Sequence, residues 1–462
     1  MRRVVLGVAV VLLASCGGSP AQRAADGPPA ADAAPPWSLA PPPSSIYGPR
    51  RGLRVVRGVI HAHTAYSHDA CDGEPVQNGV TNQPCLDDFR AALCKARLDY
   101  VMLTDHDDRM AGQPFERLLL DLPIVSQGGA PIGAVQTCPD GSQVTLLVGG
   151  ENGLMPVGLD QHPPGDEAAR AAAYDAEDEA AVALFRALGA VVLVPHTESR
   201  SLALLRRLRP DGIEIYNLHA NVDPRIRETW LGLPAYGAVE AIAPFIGRDP
   251  ETPEPDLALL GMLEPNRVAL ASWDALLSEG PMVGTAGTDC HQNAFPVTLK
   301  DDERGDSYRR MMRWFSNVLL VRDTSPGALK EALGSGRLFV VFDVFGTPAD
   351  LDFFARTPDG TAEVGQTVAP ASTLVVRRPQ VAGLSGSLQP DVRIRLLRAR
   401  PGGAVEVASS ATSDLAHRTL EPGAYRAEVL ITPRHLAPLL GSLSSMLVRE
   451  YVWVYTNAIH VR

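Results

Sequence analysis

From Leu53 to about residue 345, short apolar runs alternate with stretches of helical periodicity. That alternation confines the chain to a mainly parallel sheet or barrel, because parallel neighbours must be joined by crossover segments long enough to hold a helix. Strands are expected near 55–60, 100–104, 145–149, 190–195, 212–217, 281–287 and 317–322. Helices are expected over 87–97, where Phe89, Leu93 and Ala96 share a face, and over 167–188 and 198–208. A further helix over 326–334 opens on Pro326 and closes near Gly334 and Gly336, as capping chemistry prefers.

After residue 345 the texture changes to runs such as TLVVRR, VRIRLL and YVWVYTNAIHV, divided by Pro, Gly and Ser turns. This reads as an all-β, sandwich-like domain over 346–462. Before the barrel, residues 17–52 are rich in Pro, Ala, Gly and Ser and poor in bulky apolar residues, so they form a tether and not a core. Residues 1–16, MRRVVLGVAVVLLASC, put two arginines ahead of an apolar run and small residues, the pattern of an export signal. The run is too short to remain as a membrane-spanning helix.

The stretch LASC, Leu13 to Cys16, resembles the lipobox of bacterial lipoproteins, which implies cleavage before Cys16 and lipidation of it. Gly17, not Asp, follows and, in a Gram-negative host, points to an outer membrane facing the periplasm; the alternative is a secretory peptide without lipid. Loss of the two arginines takes the formal net charge from −11 to −13. So acidic a surface repels polyphosphate backbones, so no nucleic-acid partner is expected. Five cysteines then remain in an oxidising compartment. Cys71 with Cys85 and Cys94 with Cys138 are possible disulfides, but spacing alone does not decide the pairing, and an odd thiol is left over.

Eight of the 11 histidines fall between residues 61 and 291, most of them directly behind an expected strand. The first strand runs into His61 and His63, the second into Asp105 and His106, the third into Glu151, the fourth into His196. The fifth is followed by His219 and the sixth by Asp289 and His291. In a barrel of β/α units the strand C-termini share one face, so these side chains should converge. Imidazole and carboxylate are ligands for zinc, manganese or iron, and a carboxylate such as Glu151 can bridge two ions. His61 and His63, two apart in extended backbone, project to one side and can grip one ion. Cys290 should face away and pack. His162, His417, His435 and His460 read as solvated or packed.

The motifs HAHTAYSHDA (61–70), TDH (104–106), GGEN with its strand-end Glu151, PH (195–196), IEIYN (213–217) and GTDCH (287–291) resemble the PHP (polymerase and histidinol phosphatase) metal-dependent hydrolases. The resemblance covers about residues 55–345 and implies a distorted (β/α)7 TIM-like barrel with two or three divalent ions. It implies a first ion held by His61, His63, Glu151 and Asp289, and a second by Glu151, His196 and His219. A third would take His106 and His291 with Asp69 or His68, Asp69 being preferred and His68 then serving either as a partner that supports a ligand or as a substrate contact. Asp105 is expected to act behind the ligands, orienting one of them.

The reaction implied is phosphoester hydrolysis by metal-activated hydroxide on a small-molecule substrate in the cell envelope. An amide, carbamate or ester hydrolase on the same centre is the alternative, and a non-catalytic, lipid-anchored binding scaffold is a third reading. Phosphate binding would call for Arg or Lys near the ligands, for which Arg109 and Arg200 are candidates by chain proximity, with surface solvation the commoner role of such residues.

Overall fold

The structure, a computed structural model, describes residues 38–462. The export segment, the lipidation site at Cys16 and most of the tether lie outside the described residues. Strand β1, Arg54–Ala62, is buried along all but its first residue. Such a strand needs neighbours on both edges and cover on both faces.

On one edge, β1 pairs in parallel with β2 (Tyr100–Met102), which pairs in parallel with β3 (Gln143–Gly149). Next come β4 (Met155–Leu159), antiparallel to both its neighbours, and β5 (Val191–Val194). The parallel strands β6 (Gly212–Asn217) and β7 (Val283–Cys290) follow, and β7 returns to β1, closing a seven-strand barrel. Because β4 reverses against both neighbours, β3 and β5 still point the same way. Six strand C-termini therefore open at one end.

The layout departs from a regular (β/α)7 barrel in two places. The ring includes β4, which no sequence signal marks: MPVGL holds Pro156 and Gly158, residues that disfavour strands. It excludes the strand expected at 317–322. That segment, β8 (Ser316–Val321), pairs antiparallel with Arg54–Gly58, whereas Ile60 and Ala62 pair with β7. A nine-residue β1 thus divides one edge between two partners. β3 does likewise, pairing with Ala130–Thr137 at its start and with β4 at its end.

Among the helices, α1 (Gln83–Lys95) is capped by the Asn82 side chain. The single helix expected over 167–188 is two, α2 (Glu167–Asp175) and α3 (Glu179–Ala187). Asp178 causes the break, since its carboxylate accepts from Ala181 N at 2.8 Å and starts a new helix. α4 (Leu202–Leu208) begins later than expected, capped by Ser201. α5 (Arg267–Glu279) and α6 (Tyr308–Trp314) pack outside the barrel, and α7 spans Pro326–Gly334.

β9 (Leu338–Val341) pairs with β8 and carries the sheet into the last third of the chain. It pairs antiparallel with β13 (Tyr451–Thr456), which joins β12 (Gly423–Thr432) and β11 (Asp391–Arg398). A second, four-stranded antiparallel sheet is built around β10 (Asp352–Thr357). Residues 38–462 form one compact unit. Disulfides join Cys71 to Cys85 and Cys94 to Cys138, while Cys290 is buried and unpaired. No helix among the described residues is long and apolar enough to cross a membrane.

Candidate metal centre

His61 and His63 do not reach the barrel mouth by plain strand alternation. The β1/β7 register shifts between Ile60 and Ala62, and His61 adopts a left-handed φ of 69°. Opposite it Asp289 has a φ of 51°, and at the end of β5 His196 has 48°. Three non-glycine residues in this strained region at one barrel end mark a site whose geometry is imposed by its surroundings.

The donors meet around two carboxylates. Glu151 Oε2 lies 3.3 Å from His61 Nε2, 3.4 Å from His63 Nε2 and 3.4 Å from His106 Nε2. Its other oxygen, Oε1, lies 3.1 Å from His196 Nε2. Asp289 divides in the same way. Its Oδ1 is 3.3 Å from His61 Nε2 and 3.5 Å from His63 Nε2, and its Oδ2 is 3.4 Å from both His196 Nε2 and His219 Nδ1. Asp69 Oδ2 sits 3.0 Å from His291 Nε2 and 3.5 Å from His106 Nε2.

Three overlapping donor groups result: His61, His63, Glu151 and Asp289; His196, His219 and Asp289; and His63, Asp69, His106 and His291. In each, the donor atoms are close enough together to share one ion. The donor set is of the type that binds zinc, manganese or iron.

Four imidazoles are oriented by what holds their outward nitrogens. His61 Nδ1 is 2.7 Å from Glu214 Oε1, His106 Nδ1 2.8 Å from the Glu151 carbonyl, and His291 Nδ1 2.9 Å from the Asp289 carbonyl. These acceptors place the proton on Nδ1 and leave the Nε2 lone pair facing inward. His63 obeys the same logic through Ser67. The Ser67 hydroxyl donates to Asp69 Oδ1 at 2.9 Å, so its oxygen accepts from His63 Nδ1 at 3.0 Å and from the His106 N–H at 3.2 Å. Among the described residues, the buried atoms His61 Nε2, His63 Nε2, His291 Nε2 and Asp289 Oδ2 make no hydrogen bond. Buried polar atoms left this way are costly unless something else is bound to them, so the residues fit a group of cations.

No protein-family profile matches the chain. No curated protein matches it either. Among solved structures it is similar to a two-domain protein from Bacteroides vulgatus ATCC 8482 that contains a predicted PHP-like metal-dependent phosphoesterase. That similarity is 12% identity and a TM-score of 0.33, over 87% of this chain and 96% of that one. So remote a likeness carries no argument about chemistry, which rests on the donor geometry.

Electrostatics suit cations. Burial pushes the Glu151 and Asp289 carboxyls up, but His61 acts on both, with His196 beside Glu151 and His291 beside Asp289, and they are held well below their ordinary values. Burial and the stacked His291 ring hold His63 well below its ordinary value, in the neutral form that can ligate. Burial lowers His106, yet its hydrogen bond to Asp69 and the Glu151 charge raise it to about 9. Bound cations would balance these carboxylates in place of protonated imidazoles.

Two residues named from the sequence stand apart from the donors. His68 is exposed at the rim, its Nδ1 3.2 Å from Asp108 Oδ1. Asp105 is buried beneath the loop that follows His63. Its carboxylate accepts from Thr64 N at 2.6 Å and from the Thr64 hydroxyl at 3.0 Å, and burial pushes it up to about 6 against those bonds. It therefore positions a loop and not an imidazole. Of the arginines, Arg200 is committed to Glu177 at 2.8 Å. Burial pushes the Cys290 thiol up to about 12, consistent with a packed side chain.

Sequence reasoning missed Glu214, Ser67 and Glu198. Glu198 is buried, 3.6 Å from His196 Nδ1, and accepts from Asn266 Nδ2 at 2.9 Å. Glu214 had a usable signal, a carboxylate inside the apolar run GIEIYN, where a buried charge demands a partner.

Proposed function

We propose that the chain is a metal-dependent phosphoesterase with a di- or trinuclear centre of Zn, Mn or Fe. The observation that carries this is the division of Glu151 and Asp289, each offering one oxygen to His61 and His63 and the other to His196. Carboxylates shared in this way hold ions side by side. Bound there, divalent ions supply acidified water and Lewis-acid stabilisation of phosphoryl oxygens.

The chain's own residues supply the frame. Glu214 and Ser67 hold the imidazoles in place, Asp105 holds the 64–67 loop, and His68 stands at the rim as a substrate contact. The substrate is a small molecule, and the acidic surface argues against nucleic acid. The two disulfides support an oxidising compartment. With the export segment and Cys16 they suit a lipid-anchored protein of the cell envelope, on the periplasmic face of an outer membrane.

The soluble fragment should carry at least two equivalents of transition metal by elemental analysis and hydrolyse bis(4-nitrophenyl) phosphate. The double substitution His61→Ala with His63→Ala should lose most of the metal and reduce turnover by orders of magnitude while circular dichroism is unchanged. Undiminished turnover in that variant would remove the assignment.

A second reading, hydrolysis of an amide, carbamate or ester, is favoured by the pairing of Arg200 with Glu177, which withdraws a cation a phosphate would use. Turnover of an aryl ester but not the phosphodiester would establish it. Bound metal with turnover of neither would leave a binding scaffold.

A further inference from the structure

A cavity of about 350 Å3 opens directly off the donor cluster, with Asp69, His219, Asp289 and His291 forming its inner wall. It lies between the short helix Leu218–Val222, α6 and the segment 292–306. Away from the donors its wall is apolar: Leu218, Val222, Ile242, Met262, Phe295 and Trp314 all line it. Among the described residues, no lysine or arginine does.

The polar groups that reach the wall are already committed. Asp306 accepts from Ala294 N and Phe295 N, both at 2.7 Å, and pairs with Arg304. Asp223 accepts from Ile226 N at 2.9 Å. Gln292 Nε2 donates to Asp88 and Asn293 Nδ2 to the Asp69 carbonyl, at 2.9 and 2.7 Å. A second phosphate, a carboxylate or a hydroxyl-rich sugar entering here would lose its hydration and find few partners, which is costly. An apolar group would gain by the same transfer.

We propose that the substrate carries, next to its reacting ester, an apolar group of aryl size or larger that enters this cavity. The inference rests on the hydrolase reading but concerns what the cavity selects. The reacting centre lies against the donors, and the remainder of the molecule offers no further charge. Nucleotides and sugar phosphates are thereby disfavoured.

The test is binding, read independently of turnover. Calorimetry on the manganese-loaded fragment compares phenyl methylphosphonate with methyl methylphosphonate, two monoanions that differ only in the ester group. Phenyl should bind on the order of tenfold or more tightly. Ile242→Asp and Val239→Asp, at a half-buried and an exposed position of the wall, should bring that ratio close to one with circular dichroism unchanged.

Equal affinities, binding of neither probe, or a preference that survives both substitutions would overturn the proposal. Hydrolysis of bis(4-nitrophenyl) phosphate and of methyl 4-nitrophenyl phosphate is measured alongside. Preferential binding without turnover removes the hydrolase reading and leaves the cavity's selectivity standing. Turnover with no binding preference does the reverse.

Discussion

Glu214 belongs to none of the three donor groups, yet His61 owes its orientation to it, and its second oxygen accepts from the His196 N–H at 3.0 Å and from Asn217 Nδ2 at 2.9 Å. One carboxylate thus aligns donors of two groups. Glu214→Gln should lower metal affinity by roughly 10- to 100-fold, read by chelator competition, with the fold intact. The same site can be disturbed without touching any polar group. A methyl group on Gly287 would collide with the Glu214 carboxylate, so Gly287→Ala should weaken metal binding as Glu214→Gln does. Wild-type affinity in the glycine variant would show that the carboxylate yields freely. At this scale most donors were legible in the sequence because they sit at or just past the end of an apolar run, whereas Asp69, in the loop after β1, was indicated only by the resemblance. Their supports were not, because Ser67 and Glu198 look like any loop residue until folding puts an imidazole beside them.

At the scale of elements, the long loop after β1 has to hold Asp69 against His106 and His291, although loops of this kind are ordinarily mobile. The Cys71–Cys85 disulfide ties its far end to α1, and Cys71 N donates to the His291 carbonyl at 2.9 Å. Replacing both cysteines by serine should cost about 3 kcal/mol through the freed loop of roughly 15 residues. A fall of several degrees in Tm would report it. Metal bound through Asp69 should weaken more than metal bound at His61 and His63, so elemental analysis after mild chelation should show loss of one equivalent first. Strands and helices were legible where periodicity was unbroken, as over 326–334. The break at Asp178 and the strand Met155–Leu159 were not, since a side-chain cap and a ring-closing register depend on neighbours that periodicity does not contain.

Across the whole molecule, the barrel and the last third of the chain share buried polar contacts as well as a sheet. Arg426 on β12 pairs with Asp274 on α5 at 2.7 and 2.9 Å, both side chains buried, and Asn457 bonds both the N–H and the carbonyl of Gly284 on β7. Arg426→Met strands the buried Asp274 carboxylate, while Glu428, also paired with Arg426 at 2.7 Å, keeps Arg395, and should cost about 3–5 kcal/mol in denaturant unfolding. Adding Asp274→Leu should recover much of that loss. Additive losses in the double variant would mean the two side chains act independently. The sequence alone determined the alternation of strands and helices, the change of texture near residue 345, and the set of imidazoles and carboxylates at strand ends, because these follow from local periodicity and the order of residues along the chain. Only the tertiary structure decided which strands close the ring, which oxygen faces which imidazole, and that an apolar cavity without cations adjoins them. Those features arise from contacts between segments up to more than 200 residues apart, and no local pattern records the distances between them.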